Sequence, residues 1–313
     1  MRFRGWGRAF PKTVVAVCAI GAALTASGVH ASPDDRSHVS QQSGGVNVVA
    51  GENFYGDLVT QLGAGHVSVT SILSDPSADP HEYESSAADA KAIAAAQLLI
   101  ENGVGYDAFM DKLMSASPSG SRVVVNVGSL LGKSEGDNPH LWYNVDWMSQ
   151  LADTITSNLK QIDNSNSSDY DSANAKFKGS LQLLRDTMAT IKAQYGGSRV
   201  AQTEPVAGYM LTAIGISADN GDFQHSIEEG TDPSPQAVAG IQAQIKNKQV
   251  AALIYNSQTV SSVTQDLQNL AKSAGVPVVP VTETLPPGES SYQQWMVDQL
   301  NKLAQALAGG PQS

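Results

Sequence analysis

One cysteine, Cys18, is all that this chain of 313 residues contains, and it carries only six histidines. Cys18 lies in an apolar N-terminal run, so no disulfide framework can hold the fold. Basic residues are also scarce, with 19 Lys and Arg against 30 Asp and Glu and a formal net charge of −11. That balance argues against a nucleic-acid partner. The sequence has no HExxH helix, no G-x-S-x-G elbow and no histidine-rich acidic loop. The common signatures of zinc proteases and serine hydrolases are therefore missing. An exported metallohydrolase would need another general base.

What is present begins with an export signal. Arg2, Arg4, Arg8 and Lys12 precede the apolar run TVVAVCAIGAALTASG, and Val29-His30-Ala31 supplies a small-residue cleavage pattern. Residues 1–31 read as a cleavable signal peptide, and 32–45, polar and rich in Gly and Ser, as a disordered leader. A lipid anchor on Cys18 is not expected, because Val17 stands where lipoprotein signals place a small residue. Cleavage removes four basic residues and shifts the net charge from −11 to about −15. About 280 residues remain, enough for two lobes without disulfides.

Short β-branched runs then alternate with helical patterns. VNVVAG, VSVTSIL, QLLIENG and RVVVNVG read as strands, and Ser86-Ala-Ala-Asp89 as a capping box opening a helix. Two long helical patterns follow, and the second ends at Gly196-Gly197. Strand–helix alternation resumes with RVAQTE, VAALIYN and VPVVPVT. The expected fold is α/β, with two wound parallel-sheet lobes joined by a long connecting helix and a ligand cleft between them. The expected boundaries are 46–165 for the N-terminal lobe, 166–197 for the connecting helix and 198–308 for the C-terminal lobe.

The strand ends carry the chemistry. His81 in SDPSADPHEYESS and His140 in EGDNPHLWYN each follow a proline in a loop after a strand. Glu204 ends the first strand of the second lobe, and Glu283 ends its last. Two imidazoles and two carboxylates converging from two lobes would make a four-residue divalent-metal site. Asp219, Asp222, Glu228 and Glu229 lie in loops that could reach the same cleft in place of Glu283. His66 reads as structural, His225 as exposed and His38 as part of the leader.

At these residues the sequence resembles the metal-binding solute receptors of zinc and manganese ABC transporters, the zinc-uptake and pneumococcal-surface-adhesin group. The resemblance runs from about residue 46 to 305. DPHEYESSAADAKAIAAAQLLIENGVGYDAF is similar to the first histidine block of that group, and NPHLWYNVDWMSQLADTI to its second. The resemblance implies that His81 and His140 are metal ligands of the N-terminal lobe, with Glu204 as third ligand. It places Glu283 where the group usually has aspartate, and Asp107 where it usually has glutamate.

A periplasmic receptor follows from this, capturing Mn²⁺ or Zn²⁺, with Fe²⁺ a further candidate, and passing it to a membrane permease as a monomer with no catalytic residues. Carboxylate oxygen leans toward the harder ions, while zinc binds most such sites more tightly. The alternatives are an exported metallohydrolase using the same site and a metal-stabilised adhesin.

Overall fold

The computed structural model describes residues 45–75 and 83–310. The expected signal peptide and leader, and His81 with its loop, lie outside the described residues.

Two four-stranded parallel sheets form the frame. The first contains β1 (Val46–Glu52), β2 (Val67–Leu73), β3 (Leu98–Glu101) and β4 (Val123–Asn126), in the order β2-β1-β3-β4. Its helices are α1 (Asn53–Leu62), α2 (Ala87–Ala95), α3 (Ala108–Ala116) and α4 (Val127–Leu130). The second contains β5 (Arg199–Gln202), β6 (Ser217–Ala218), β7 (Leu253–Asn256) and β8 (Val278–Val281), in the order β6-β5-β7-β8. With it go α7 (Gly208–Ala213), α8 (Gly221–Glu228), α9 (Pro235–Lys246), α10 (Ser262–Ala274) and α11 (Tyr292–Gly309). Between the sheets the chain runs through α5 (Val145–Ile162) and α6 (Ser167–Tyr195). The 29 residues of α6 extend roughly 43 Å at the helical rise.

Side-chain alternation along the strands divides the interior. In β1, Val46, Val48 and Ala50 face a core shared with α1, α5, α6 and α11, while Val49 faces a separate cluster with Ile93, Phe109 and Met110. In the second sheet Ile254, Val279 and Val281 join the shared core, while Ala201 and Leu253 pack with Phe223, Ile241 and Leu267 on the opposite face. The shared core is thus continuous through both lobes. Tyr170, Phe177, Leu181, Leu184 and Ile191 form the buried stripe of α6. Among the described residues, no helix is long and apolar enough to cross a membrane.

Local chemistry explains the element ends. Ser86 accepts from the Asp89 amide while Asp89 accepts from the Ser86 amide, the expected capping box. Asn144 caps α5 through the amides of Asp146 and Trp147. Two sequence readings need correction. The segment holding Asp222 and Glu228 is the helix α8, not a loop. Glu204 and Glu283 each lie two residues past a strand end, because the ladders close at Gln202 and Val281.

Candidate metal centre

Parallel strands deliver their carboxyl ends to one edge of each sheet, and side chains from beyond the two edges meet at Glu283. From the N-terminal lobe comes the turn after β3. Gly103, Val104 and Gly105 all have positive φ, at 72°, 60° and 82°. A β-branched residue in that region is an outlier, and such backbone strain gathers at ligand sites. Asp107 holds the turn shut, with Oδ2 accepting from the Asn102 amide at 2.7 Å and Oδ1 from the Gly103 amide at 2.8 Å. The turn presents Tyr106, whose hydroxyl donates to Glu283 Oε2 at 2.9 Å. Burial, then the Glu283 charge, pushes the Tyr106 phenol well above its ordinary value, so it remains a donor.

His140 enters from the loop after α4 and is fully buried. Its ring is oriented by Asn138, whose Nδ2 donates to the Pro205 carbonyl at 2.8 Å. That bond turns Oδ1 toward His140, where it accepts from the backbone amide at 3.0 Å and pairs with ring Nδ1 at 2.8 Å. The network assigns the proton to Nδ1 and puts the lone pair on Nε2. No hydrogen bond reaches Nε2 among the described residues, and Glu283 Oε2 lies 3.4 Å from it. Glu228 Oε1 stands 3.6 Å from Nδ1.

The second sheet supplies Glu204 and Glu283, both buried. Asn256 Nδ2 donates to Glu204 Oε2 and to Glu283 Oε1. Gln258 Oε1 accepts the Glu283 and Thr284 amides at 2.6 and 3.0 Å, fixing the backbone beneath the second carboxylate. Hydrogen bonds and close contacts therefore link His140, Glu204 and Glu283. Among the described residues alone, no three His, Cys, Asp or Glu side chains form a group that could hold a metal ion. The remaining expected ligand, His81, is outside those residues.

The other candidates separate clearly. Asp219 pairs with Arg199, and His66 Nε2 meets Asp169 of α6 at 2.9 Å, a structural contact. His225, Glu228 and Glu229 line a cleft of about 600 Å³ together with Tyr106, Asn138 and Pro205. Sequence reasoning missed Tyr106, Asn138 and Asn256. Only the position of Asn138 two residues before His140 gave any local hint.

The chain matches the family model described as zinc-uptake complex component A, periplasmic, over residues 48–306. It is 26% identical over 216 residues to the manganese-binding lipoprotein MntA of Halalkalibacterium halodurans, covering 67% of this chain and 70% of that protein. It is 23% identical over 302 residues to the metal ABC transporter substrate-binding lipoprotein ScbA of Streptococcus cristatus, covering 90% of this chain and 95% of the relative. Among solved structures, the solute-binding protein FpvC of Pseudomonas aeruginosa in complex with Mn²⁺ superposes with a TM-score of 0.70 at 20% identity, over 84% of this chain and 98% of that one. The fold, the paired lobes and the extent of the family match agree, and the chain belongs to the periplasmic zinc-uptake component A family.

Proposed function

We propose that this protein is the periplasmic receptor of an ABC importer, capturing Mn²⁺ or Zn²⁺, with Fe²⁺ a further candidate cargo, and delivering it to a membrane permease. His81 and His140 of the first lobe and Glu204 and Glu283 of the second are the proposed ligands. The observation that carries this reading is the meeting of buried His140, Glu204 and Glu283 across the cleft. An imidazole with the Glu228 and Glu283 carboxylates beside it, and Glu204 joined to Glu283 through Asn256, is a setting for a cation. Burying such carboxylates is costly until a cation joins them, so the bound ion stabilises the fold.

The test is thermal unfolding of chelator-treated protein with and without Mn²⁺ or Zn²⁺. A ligand at 100 times its Kd adds about 2.7 kcal/mol, which moves the midpoint by several degrees. His140→Ala and His81→Ala are each expected to abolish that gain. Retention of the full gain by either variant would remove that histidine from the site. Binding weakens on acidification because protons compete for both imidazoles.

The reading extends to a receptor without turnover, acting as a monomer and free in the periplasm. The relatives above are named lipoproteins, whereas here Val17 precedes Cys18. Intact mass of the protein from its native cells decides the point. Unmodified Ser32 at the N-terminus is expected, and a lipid-modified Cys18 would overturn the unanchored reading.

A further inference from the structure

The two proposed ligand carboxylates are joined to each other through a third side chain. The strand order β6-β5-β7-β8 sets β7 between the strands whose ends lead to Glu204 and Glu283. The last residue of β7 is Asn256, only 1% exposed. Neighbouring strands are about 4.8 Å apart, so a side chain there is within reach of both carboxylates.

The amide of Asn256 has one orientation. Its Oδ1 accepts from the Gln258 backbone amide at 3.0 Å, so Nδ2 must face the carboxylates. Nδ2 has two hydrogens to give, and the carboxylates offer two acceptors, Glu204 Oε2 and Glu283 Oε1, the latter at 2.5 Å. Thr259 Oγ1 lies 3.1 Å from the same nitrogen. The backbone amide of Asn256 donates to Thr203 Oγ1 at 3.1 Å, which anchors the residue to the segment leading into Glu204. The Glu283 oxygen beside His140 Nε2 is Oε2, which accepts from the Tyr106 hydroxyl on the cleft side and is not the one Asn256 holds.

We infer that Asn256 is a specificity-determining positioning residue of the metal site, holding Glu204 and Glu283 to donation through one oxygen each. The inference rests on the ligand assignment proposed above. An oxygen that accepts an N–H from the β7 end faces the sheet and is a poorer second donor to an ion in the cleft. One oxygen from each carboxylate keeps the donor count low, which suits the four-coordinate site that zinc takes. Manganese prefers an oxygen-rich, six-coordinate shell and gains most when carboxylates chelate through both oxygens. Asn256 thereby sets the site toward Zn²⁺ and against Mn²⁺, over and above the general order of affinities.

The test compares the parent protein with Asn256→Ala. Kd values for Mn²⁺ and for Zn²⁺ are measured by competition with chelators at one fixed pH. X-ray absorption then counts the ligands around each ion. In the variant the Zn²⁺-to-Mn²⁺ affinity ratio should fall about tenfold, the scale on which partners of metal ligands act, and the count around Mn²⁺ should rise. If both affinities change by one factor, or not at all, with unchanged counts, Asn256 is only packing and the inference is overturned.

Asn256→Asp carries the same test if the alanine variant does not fold. It keeps the volume and the acceptor for Gln258 but has no N–H to give, and the ratio should move in the same direction. His140→Ala separates the two levels of the reading. Parent-like binding by that variant would sink the ligand assignment itself. Loss of binding there, with an unchanged ratio in the Asn256 variants, would sink only the role of Asn256.

Discussion

His140 shows how much of a buried imidazole's behaviour is set by the side chain beside it. Asn138 fixes the tautomer, because its Nδ2 is committed to the Pro205 carbonyl and only Oδ1 can face the ring. Asn138→Ala removes this restraint and leaves Glu228, 3.6 Å away, as the remaining partner of Nδ1. Isothermal titration should record a 10–100-fold weaker affinity for Mn²⁺ and Zn²⁺ alike. An unchanged affinity would show that Glu228 alone suffices to orient the ring. That Glu204, Glu283 and His140 would come together was legible in the sequence, because strand ends and Pro-His steps are local patterns. Asn138, Asn256 and Tyr106 were not. Their roles depend on which strand lies beside which and on which carbonyl a turn brings near, and neither is written in local spacing.

At the scale of elements, the strands and the long helices were the most legible features. β2 spans Val67–Leu73, the run VSVTSIL itself, and the long helical pattern became α6. Beta-branched runs and apolar stripes are strong signals because burial enforces them. Weakly coded elements escaped. β6 is two residues long, and α8 begins with a glycine and has no side-chain cap at Asn220, so tertiary packing of Phe223 and Ile227 must hold it. Caps, by contrast, carry local energy that can be measured. Asn144 satisfies two amides at the start of α5, just after the turn that carries His140. Asn144→Ala should lower unfolding free energy by about 1 kcal/mol in urea titration. The Zn²⁺-to-Mn²⁺ ratio should not move, which distinguishes a helix cap from a site residue.

The whole molecule should also respond to pH through a pair of buried acids beneath the cleft. Burial pushes Asp107 up to about 7, against the amide hydrogen bonds that lower it. Glu52 is fully buried and raised well above its ordinary value, first by burial and then by the neighbouring Asp107 charge. Both are raised, so between about pH 4 and 7 the folded state holds protons that the unfolded state has released. The contribution of Asp107 is therefore fully present at the acid end and is lost as pH rises through about 7, and that of Glu52 is likewise lost with rising pH. Melting temperature of the metal-free protein should fall between pH 5 and 8. Glu52→Gln, which mimics the protonated acid, should flatten that slope and gain about 1–2 kcal/mol at pH 8. A variant with the parent's slope would show that the titration lies elsewhere.

The core that runs without a break from Val46 through α6 to Trp295 and Leu307 has a consequence for folding. Each sheet leaves one of its faces to that shared interior, so neither half of the chain can bury its apolar surface alone. Calorimetry of the metal-free protein should therefore give one transition, with calorimetric and van't Hoff enthalpies equal. A gene cut within α6 should yield two insoluble fragments. Co-expressed, the fragments should find each other and rebuild the cleft, because the surface each lacks is the surface the other presents.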